Sequence, residues 1–300
     1  MSSIKLIRGS AMEKALAPEE QQAKINEIRK IIGPIADKFP SLCSDASVLR
    51  YLRARNWNTK KAAKMLKATL KWRLEYKPEK IQWEDIAKEA ETGKLYRADY
   101  YDKQGRIVLV MRPGCQNTNS ASGQVKHLVY SMENAILNLH SGQEQMVWLI
   151  DFQGWNSSNI SMKASRETAR ILQDHYPERL GLAILYNPPK IFESFMTMVK
   201  PFLEPKTFKK VHFVYADNPE SWKLMEEIFD MDKVECCFGG RSGVQFGYKV
   251  YAQKMREDDK KKSDFMDSGC SSSSHLQSVL SESQLSELAS DHNSEASDEG

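Results

Sequence analysis

"QMVWLIDF", residues 145–152, decides the fold class. Its apolar run from Met146 to Ile150 shows no polar alternation, which is the pattern of a strand buried on both faces. Downstream, Ser161 to Asp174 has helical spacing, and "LAILYN" (182–187) is a second strand. Pro189 then stands where a first helical turn tolerates proline. "KKVHFVYA" (209–216) is a third strand, and Pro219 opens a further helix through Phe229. Upstream, "YDKQGRIVLVMRPG" (101–114) reads as a turn closed by Gly105 and a β-rich run from Ile107 to Met111. A helix from about Gln124 to His140 links that run to the next strand. Strands alternating with helices predict a parallel sheet joined by crossovers. No internal repeat is visible.

The N-terminal third carries helical periodicity instead. Ile25, Ile28, Ile31, Ile32 and Ile35 recur at helix spacing, with Gly33-Pro34 as a break. Asp45 is expected to cap a second helix burying Val48, Leu49 and Leu52. Asn58 or Thr59 starts a third, with Ala62, Met65, Leu66, Thr69, Leu70 and Trp72 facing inward. Tyr76-Lys77-Pro78 ends it, because a residue before proline avoids the helical region. The expected domains are a flexible terminus (1–19), a helical lobe (20–80), an α/β domain (81–253) and a tail (254–300). The tail is Ser-rich, almost free of aromatic residues and acidic at its end, so it cannot offset its ordering entropy and is expected to be disordered.

Bulk properties exclude several classes. With 41% hydrophobic residues in 300, the chain can bury one good core. A formal charge of +3 does not by itself suggest nucleic-acid binding. No run approaches the roughly 20 apolar residues of a membrane span. Five cysteines at spacings that fit no metal site read as inert thiols of a reducing, cytoplasmic compartment. There is no phosphate-binding glycine loop, no nucleophile elbow and no paired metal-ligand histidine spacing. Asp151 ends a strand without a partner in sequence and reads as a brace for the following loop. Lys60, Lys64, Lys67 and Lys71 read as a solvated helix face. Arg50, Arg53 and Arg55 sit at a helix end, where they can reach a neighbouring domain.

One stretch resists a bland reading. In "FMTMVKPFLEPKTFKKVHFV" (195–214) an apolar helical segment runs into two prolines and a basic turn. From Lys190 to Leu203, Ile191, Phe195, Met198 and Phe202 form one stripe, and Phe192, Met196, Val199 and Leu203 the next. Such a wide, methionine-containing face suits a core helix and a mobile lid equally well.

"LRYLRARNW", "KATLKWR", "DKQGRIVLVMRPG", "WLIDFQGW", "DHYPERLGLAILYNPP", "MVKPFLEPKTFKKV" and "CFGGRSG" occur in this order between residues 20 and 250. Together they resemble the CRAL-TRIO family, and within it the fungal and plant phosphatidylinositol transfer proteins. The resemblance implies a helical N-terminal lobe and a CRAL-TRIO-type α/β domain with a mostly parallel sheet, an apolar lipid cavity and a gating helix. The gate corresponds to Lys190 to about Phe202, with Phe192, Phe195, Met196, Met198, Val199 and Phe202 as gate and acyl-chain contacts. The family's inositol-phosphate site corresponds to Arg55, Glu178, Thr207 and Lys210. Arg55 and Lys210 would pair with the phosphodiester, and Glu178 and Thr207 would bond inositol hydroxyls. Where phosphatidylcholine-binding members carry small or hydroxyl residues, this chain has Trp155 and Asn156, although Ser158 remains. A second ligand is therefore open between phosphatidylcholine, a sterol and another apolar lipid.

The resulting expectation is a monomeric, non-enzymatic cytoplasmic protein. It would bind phosphatidylinositol and a second lipid, touch membrane surfaces transiently, and transfer the lipid or present it to a phosphoinositide kinase. It would need no cofactor, metal or nucleic acid. The alternatives are a carrier or sensor of another hydrophobic lipid, and a lipid-metabolising enzyme.

Overall fold

The computed structural model describes residues 16–156, 161–192 and 209–270. Among the described residues three helices come first: α1 (Pro18–Ile32), α2 (Asp45–Ala54) and α3 (Thr59–Tyr76). Gly33-Pro34 breaks α1 into a 3-10 segment, Gly33–Lys38. Ile25, Ile28, Val48, Leu52, Leu66 and Leu70 interlock in their core. The inward stripe of α3 is buried as expected, with Trp72 half-buried at its end. Ile31 departs from the expected stripe and is 39% exposed. Asp45 is also not the cap of α2. Ser44 fills that place, accepting from the Ser47 amide, while Asp45 forms an ion pair with Arg29 at 2.7 Å. A serine hydroxyl satisfies a first-turn amide as well as a carboxylate does, so pattern does not separate the two neighbours.

Two elements carry no clear signal in the sequence. Helix α4 (Trp83–Ala90) begins with a reciprocal Gln82/Asp85 capping box. Strand β1 (Leu95–Tyr101) carries Arg97 and Asp99, which hide its strand character. The remaining strands are β2 (Ile107–Met111), β3 (Met146–Asp151), β4 (Leu180–Tyr186) and β5 (Val211–Val214). They form one sheet in the order β1-β2-β3-β4-β5, with β1 antiparallel to β2 and every other pair parallel. Helix α5 (Ala121–Leu137) joins β2 to β3, and α6 (Met162–His175) joins β3 to β4. Helix α7 (Pro219–Ile228) follows β5.

Register divides the sheet into two faces. Met111, Trp148 and Ile150 point toward a space beneath α5 and α6. On the other face Val147 and Leu149 are fully buried. That side is closed by the chain after α7: the Phe238 ring meets Tyr186 edge-on at 5.3 Å, and Phe229 meets Tyr100 at 6.1 Å.

Residues up to Ala252 form one compact unit, in which the helical lobe joins the sheet domain. Helix α8 spans Tyr248–Cys270, so residues 254–270, expected in the disordered tail, are helical. Its charges supply the reason. Gln253 bonds Glu257 at 3.1 Å, and Lys261 and Lys262 pair with Asp258 and Asp259, spacings that support a helix, and Met255 on it is buried. The rest of the tail lies outside the described residues.

Candidate functional site

Beneath α5 and α6 lies a cavity of about 780 Å³. Met111, Met132, Trp148, Ile150 and Leu172 supply its apolar wall. Where β4 and β5 begin, the wall changes character: Arg55, Glu178, Arg179 and Lys210 line the cavity together there. They come from three segments, each held by local chemistry.

Arg55 is the C-cap of α2, and its backbone amide bonds back to Tyr51 and Leu52. The next two residues, Asn56 and Trp57, both have positive φ (49° and 63°), and Asn58 then caps α3. Asparagine tolerates that region but tryptophan does so at a cost. Trp57 offsets the cost by packing against the helical core and donating its amide to Leu52 at 2.7 Å. The turn is therefore tight and fixed, and Arg55 is carried on it.

Glu178 sits in the Tyr176-Pro177-Glu178-Arg179 turn with a φ of 58°. Proline before a left-handed residue is the pattern of a type II turn, whose third position favours glycine. A glutamate held there carries backbone strain of about 1–2 kcal/mol. Glu178→Gly is therefore expected to keep or raise stability, by up to about 1 kcal/mol once the extra chain entropy of glycine is subtracted, while weakening any ligand that uses the carboxylate. Parallel thermal melts and lipid-loading assays would check it, and a clear fall in stability would mean that the side chain is structural.

Lys210 precedes β5, and its carbonyl accepts from the Ala183 amide at 2.8 Å. Its Nζ donates to the Leu180 carbonyl at 2.8 Å and lies 3.5 Å from Glu178 Oε2. With both side chains only about a fifth exposed, the loose geometry leaves the ammonium and carboxylate available to a ligand between them.

Arg179 has no place among the residues anticipated from sequence, although it stands beside Glu178 in the same "YPER" turn. Burial, with Arg50 nearby, lowers its guanidinium to about 10, which leaves it charged at neutral pH. Arg50 and Arg53 clamp Glu144 at 2.6 and 2.5 Å, fastening the helical lobe to the loop before β3. Among the lining residues at this end, Arg55, Arg179 and Lys210 outnumber Glu178 and Asp174, so the field favours an anion.

The other anticipated residues fare unevenly. Thr207 and the gate residues Phe195, Met196, Met198, Val199 and Phe202 lie outside the described residues. Phe192 is half-buried, its ring 4.5 Å from Phe152 and 5.0 Å from Trp155, so the indole forms an aromatic anchor for the start of that segment. Asp151 is the brace its position suggested. One carboxylate oxygen accepts from the Gln153 amide at 2.9 Å, and the other faces Arg112 at 3.3 Å. Of the lysines on α3, Lys60 and Lys64 are exposed and Lys67 and Lys71 half-buried. Among the described residues no group of histidine, cysteine and carboxylate side chains could hold a metal ion, and no helix is long and apolar enough to cross a membrane.

An apolar cavity with a cationic end is a receptacle suited to an amphiphilic anion, and the fold around it has known counterparts. The chain belongs to the CRAL/TRIO domain family: the model of that domain matches residues 90–240, and that of the CRAL/TRIO N-terminal domain matches residues 36–68. A CRAL-TRIO domain-containing protein of Schizosaccharomyces pombe is 34% identical over 70% of the chain, which spans 20% of that protein. The phosphatidylinositol transfer protein PDR17 of Saccharomyces cerevisiae is 33% identical over 74% of the chain and 65% of its own length. The SEC14 cytosolic factor of Candida glabrata is 29% identical over 75% of the chain and 80% of its own length. The chain thus spans less than two thirds of the first two relatives. In fold it is similar to the crystal structure of Sfh5, with a TM-score of 0.61 over 79% of this chain and 92% of that one at 16% identity.

Proposed function

We propose that the protein binds phosphatidylinositol in the cavity and carries it between membranes or presents it at one. The observation that carries this reading is the convergence of Arg55, Glu178 and Lys210, from three separate segments, on one end of an apolar cavity. The phosphodiester pairs with Arg55 and Lys210, the inositol hydroxyls bond Glu178 and Thr207, and the acyl chains run along Trp148, Ile150 and Met111. Each buried methylene contributes about 0.8 kcal/mol, so the chains supply the drive and the headgroup supplies selectivity. The segment from Lys190 to about Phe202 acts as the gate, hinged beside the aromatic anchor of Phe152 and Trp155. The names of PDR17 and the family relatives support a lipid carrier over an enzyme.

Mass spectrometry of organic extracts from the full chain purified out of eukaryotic cells tests the reading. Phosphatidylinositol near one equivalent is the expected result. A different hydrophobe in its place would keep the cavity and overturn the headgroup assignment. Transfer of labelled phosphatidylinositol between donor and acceptor vesicles then separates carriage from presentation.

A further inference from the structure

The cavity's opposite end, where β2 and β3 finish, is polar without being charged overall. Lys94, Gln116, Gln124 and His127 line it there. The Lys94 ammonium is bonded directly to the Glu89 carboxylate, and both side chains are almost wholly buried, at 6% and 8% exposed. The Thr118 hydroxyl donates to the same carboxylate at 2.7 Å. That pair cancels its own charge within the wall. His127 is 2% exposed. Burial first, and the Lys94 charge second, lower the imidazole to about 3, while it bonds the Leu95 backbone. A neutral imidazole that donates to a carbonyl keeps a lone pair on its other nitrogen. Gln116 and Gln124 each donate one amide hydrogen to the Thr118 carbonyl, at 2.8 and 3.0 Å, which orients both amides and leaves each with its carbonyl oxygen as an acceptor beside a second amide hydrogen.

We infer that this end of the cavity seats the hydroxyl of an uncharged lipid alcohol, with Gln116, Gln124 and His127 as acceptors, and that it disfavours a second charged or zwitterionic headgroup. The inference rests on the reading that the cavity holds lipid, but not on phosphatidylinositol being that lipid. A phosphate brought to this wall must either break the Lys94–Glu89 pair or lie buried without a counter-charge, and both are costly. A hydroxyl donor only exchanges one hydrogen bond with water for one with the wall. The cavity volume of about 780 Å³ lies within the roughly 300–1,000 Å³ of pockets that enclose a compact ligand. A sterol and a diacylglycerol share this chemistry.

The test loads the full chain from phosphatidylcholine vesicles carrying cholesterol, dioleoylglycerol, or the methyl ether of either one. The ether keeps the shape and loses the donor. Loading of at least one alcohol about tenfold above its own ether is the expected result, and which pair discriminates identifies the source. The same ratio should fall toward one in Gln124→Leu. Equal loading of alcohol and ether, no loading of either pair, or preferential uptake of phosphatidylcholine would overturn the inference. Phosphatidylinositol loading, measured separately on the same unaltered chain, reports on the opposite end. If it fails while the alcohol still discriminates, the headgroup assignment falls and this one stands.

Discussion

Replacing Arg55 and Lys210 together by alanine is expected to cut phosphatidylinositol loading by at least about a hundredfold while the thermal melt moves little. Each charged hydrogen bond to a phosphate is worth about 1.5–3 kcal/mol, and each 1.4 kcal/mol is a factor of ten. Removing two such bonds at once therefore corresponds to roughly two to four orders of magnitude. The fold bears a small part of the change. Lys210 loses one bond to a carbonyl and a loose approach to Glu178. Arg55 loses its guanidinium bond to the Ala54 carbonyl at 3.1 Å, while its turn is held through backbone bonds to Tyr51 and Leu52 that alanine keeps. Arg55→Lys should fall between the two, because an ammonium keeps the charge and loses the planar fork. Vesicle-to-vesicle transfer of labelled phosphatidylinositol, with the melt measured beside it, decides the matter. Unaltered loading in the double variant would remove the headgroup from this end of the cavity.

Why Arg55, Glu178, Thr207 and Lys210 could be named as headgroup candidates from the resemblance, while Arg179 could not, has a physical answer. Arg55, Glu178 and Lys210 stand in ordered patterns that match a family, and no periodicity within this chain connects them. Their meeting on one wall is a product of topology, because parallel pairing sets the turn before β4 beside the start of β5, and the Arg50 and Arg53 bonds to Glu144 hold the end of α2 against them. Arg179 shares that wall, yet it carries no local signal beyond its place in the turn. Strands β2 to β5 were legible because apolar runs punctuated by glycine and proline leave few readings. Strand β1 was hidden by Arg97 and Asp99, and α8 by a composition that suits a solvated helix as well as a coil. The neutral far end of the cavity was illegible for a further reason. Glu89 and Lys94 are five residues apart across a helix end, and only the folded chain shows their charges cancelling.

A large loss of stability is expected from Arg73→Met. Arg73, on α3, grips Glu133, on α5, with two bonds of 2.8 Å, and the Tyr176 hydroxyl donates to the same carboxylate at 2.7 Å. Burial by itself would raise the Glu133 carboxyl; the Arg73 charge, with hydrogen bonds from Arg73 and Tyr176, outweighs it and holds the group below its usual range. A carboxyl lowered on folding adds stability above its unfolded value and loses it as pH falls through the folded value. Without Arg73 the sign reverses: burial dominates, the folded carboxyl rises, and the variant recovers stability on protonation. Loss of one partner of a buried pair costs about 3–5 kcal/mol, a large share of the roughly 5–15 kcal/mol that holds a domain together. His127 and His175, lowered to about 3 and about 4, chiefly by burial, weaken both proteins below the ordinary histidine range. The informative quantity is therefore the difference between variant and parent, which should be greatest near pH 7 and shrink toward pH 5. Arg73→Met combined with Glu133→Leu supplies the decisive comparison, since it removes the Glu133 carboxylate that the single change orphans, while Glu79, 3.7 Å from Arg73, loses its partner equally in both variants. Denaturant titrations at both pH values should show the pair closer to the parent than Arg73→Met alone, even though the Tyr176 hydroxyl has lost its acceptor. If the double variant is the weaker one, the ion pair itself, and not the cost of breaking it, joins the helical lobe to the sheet domain.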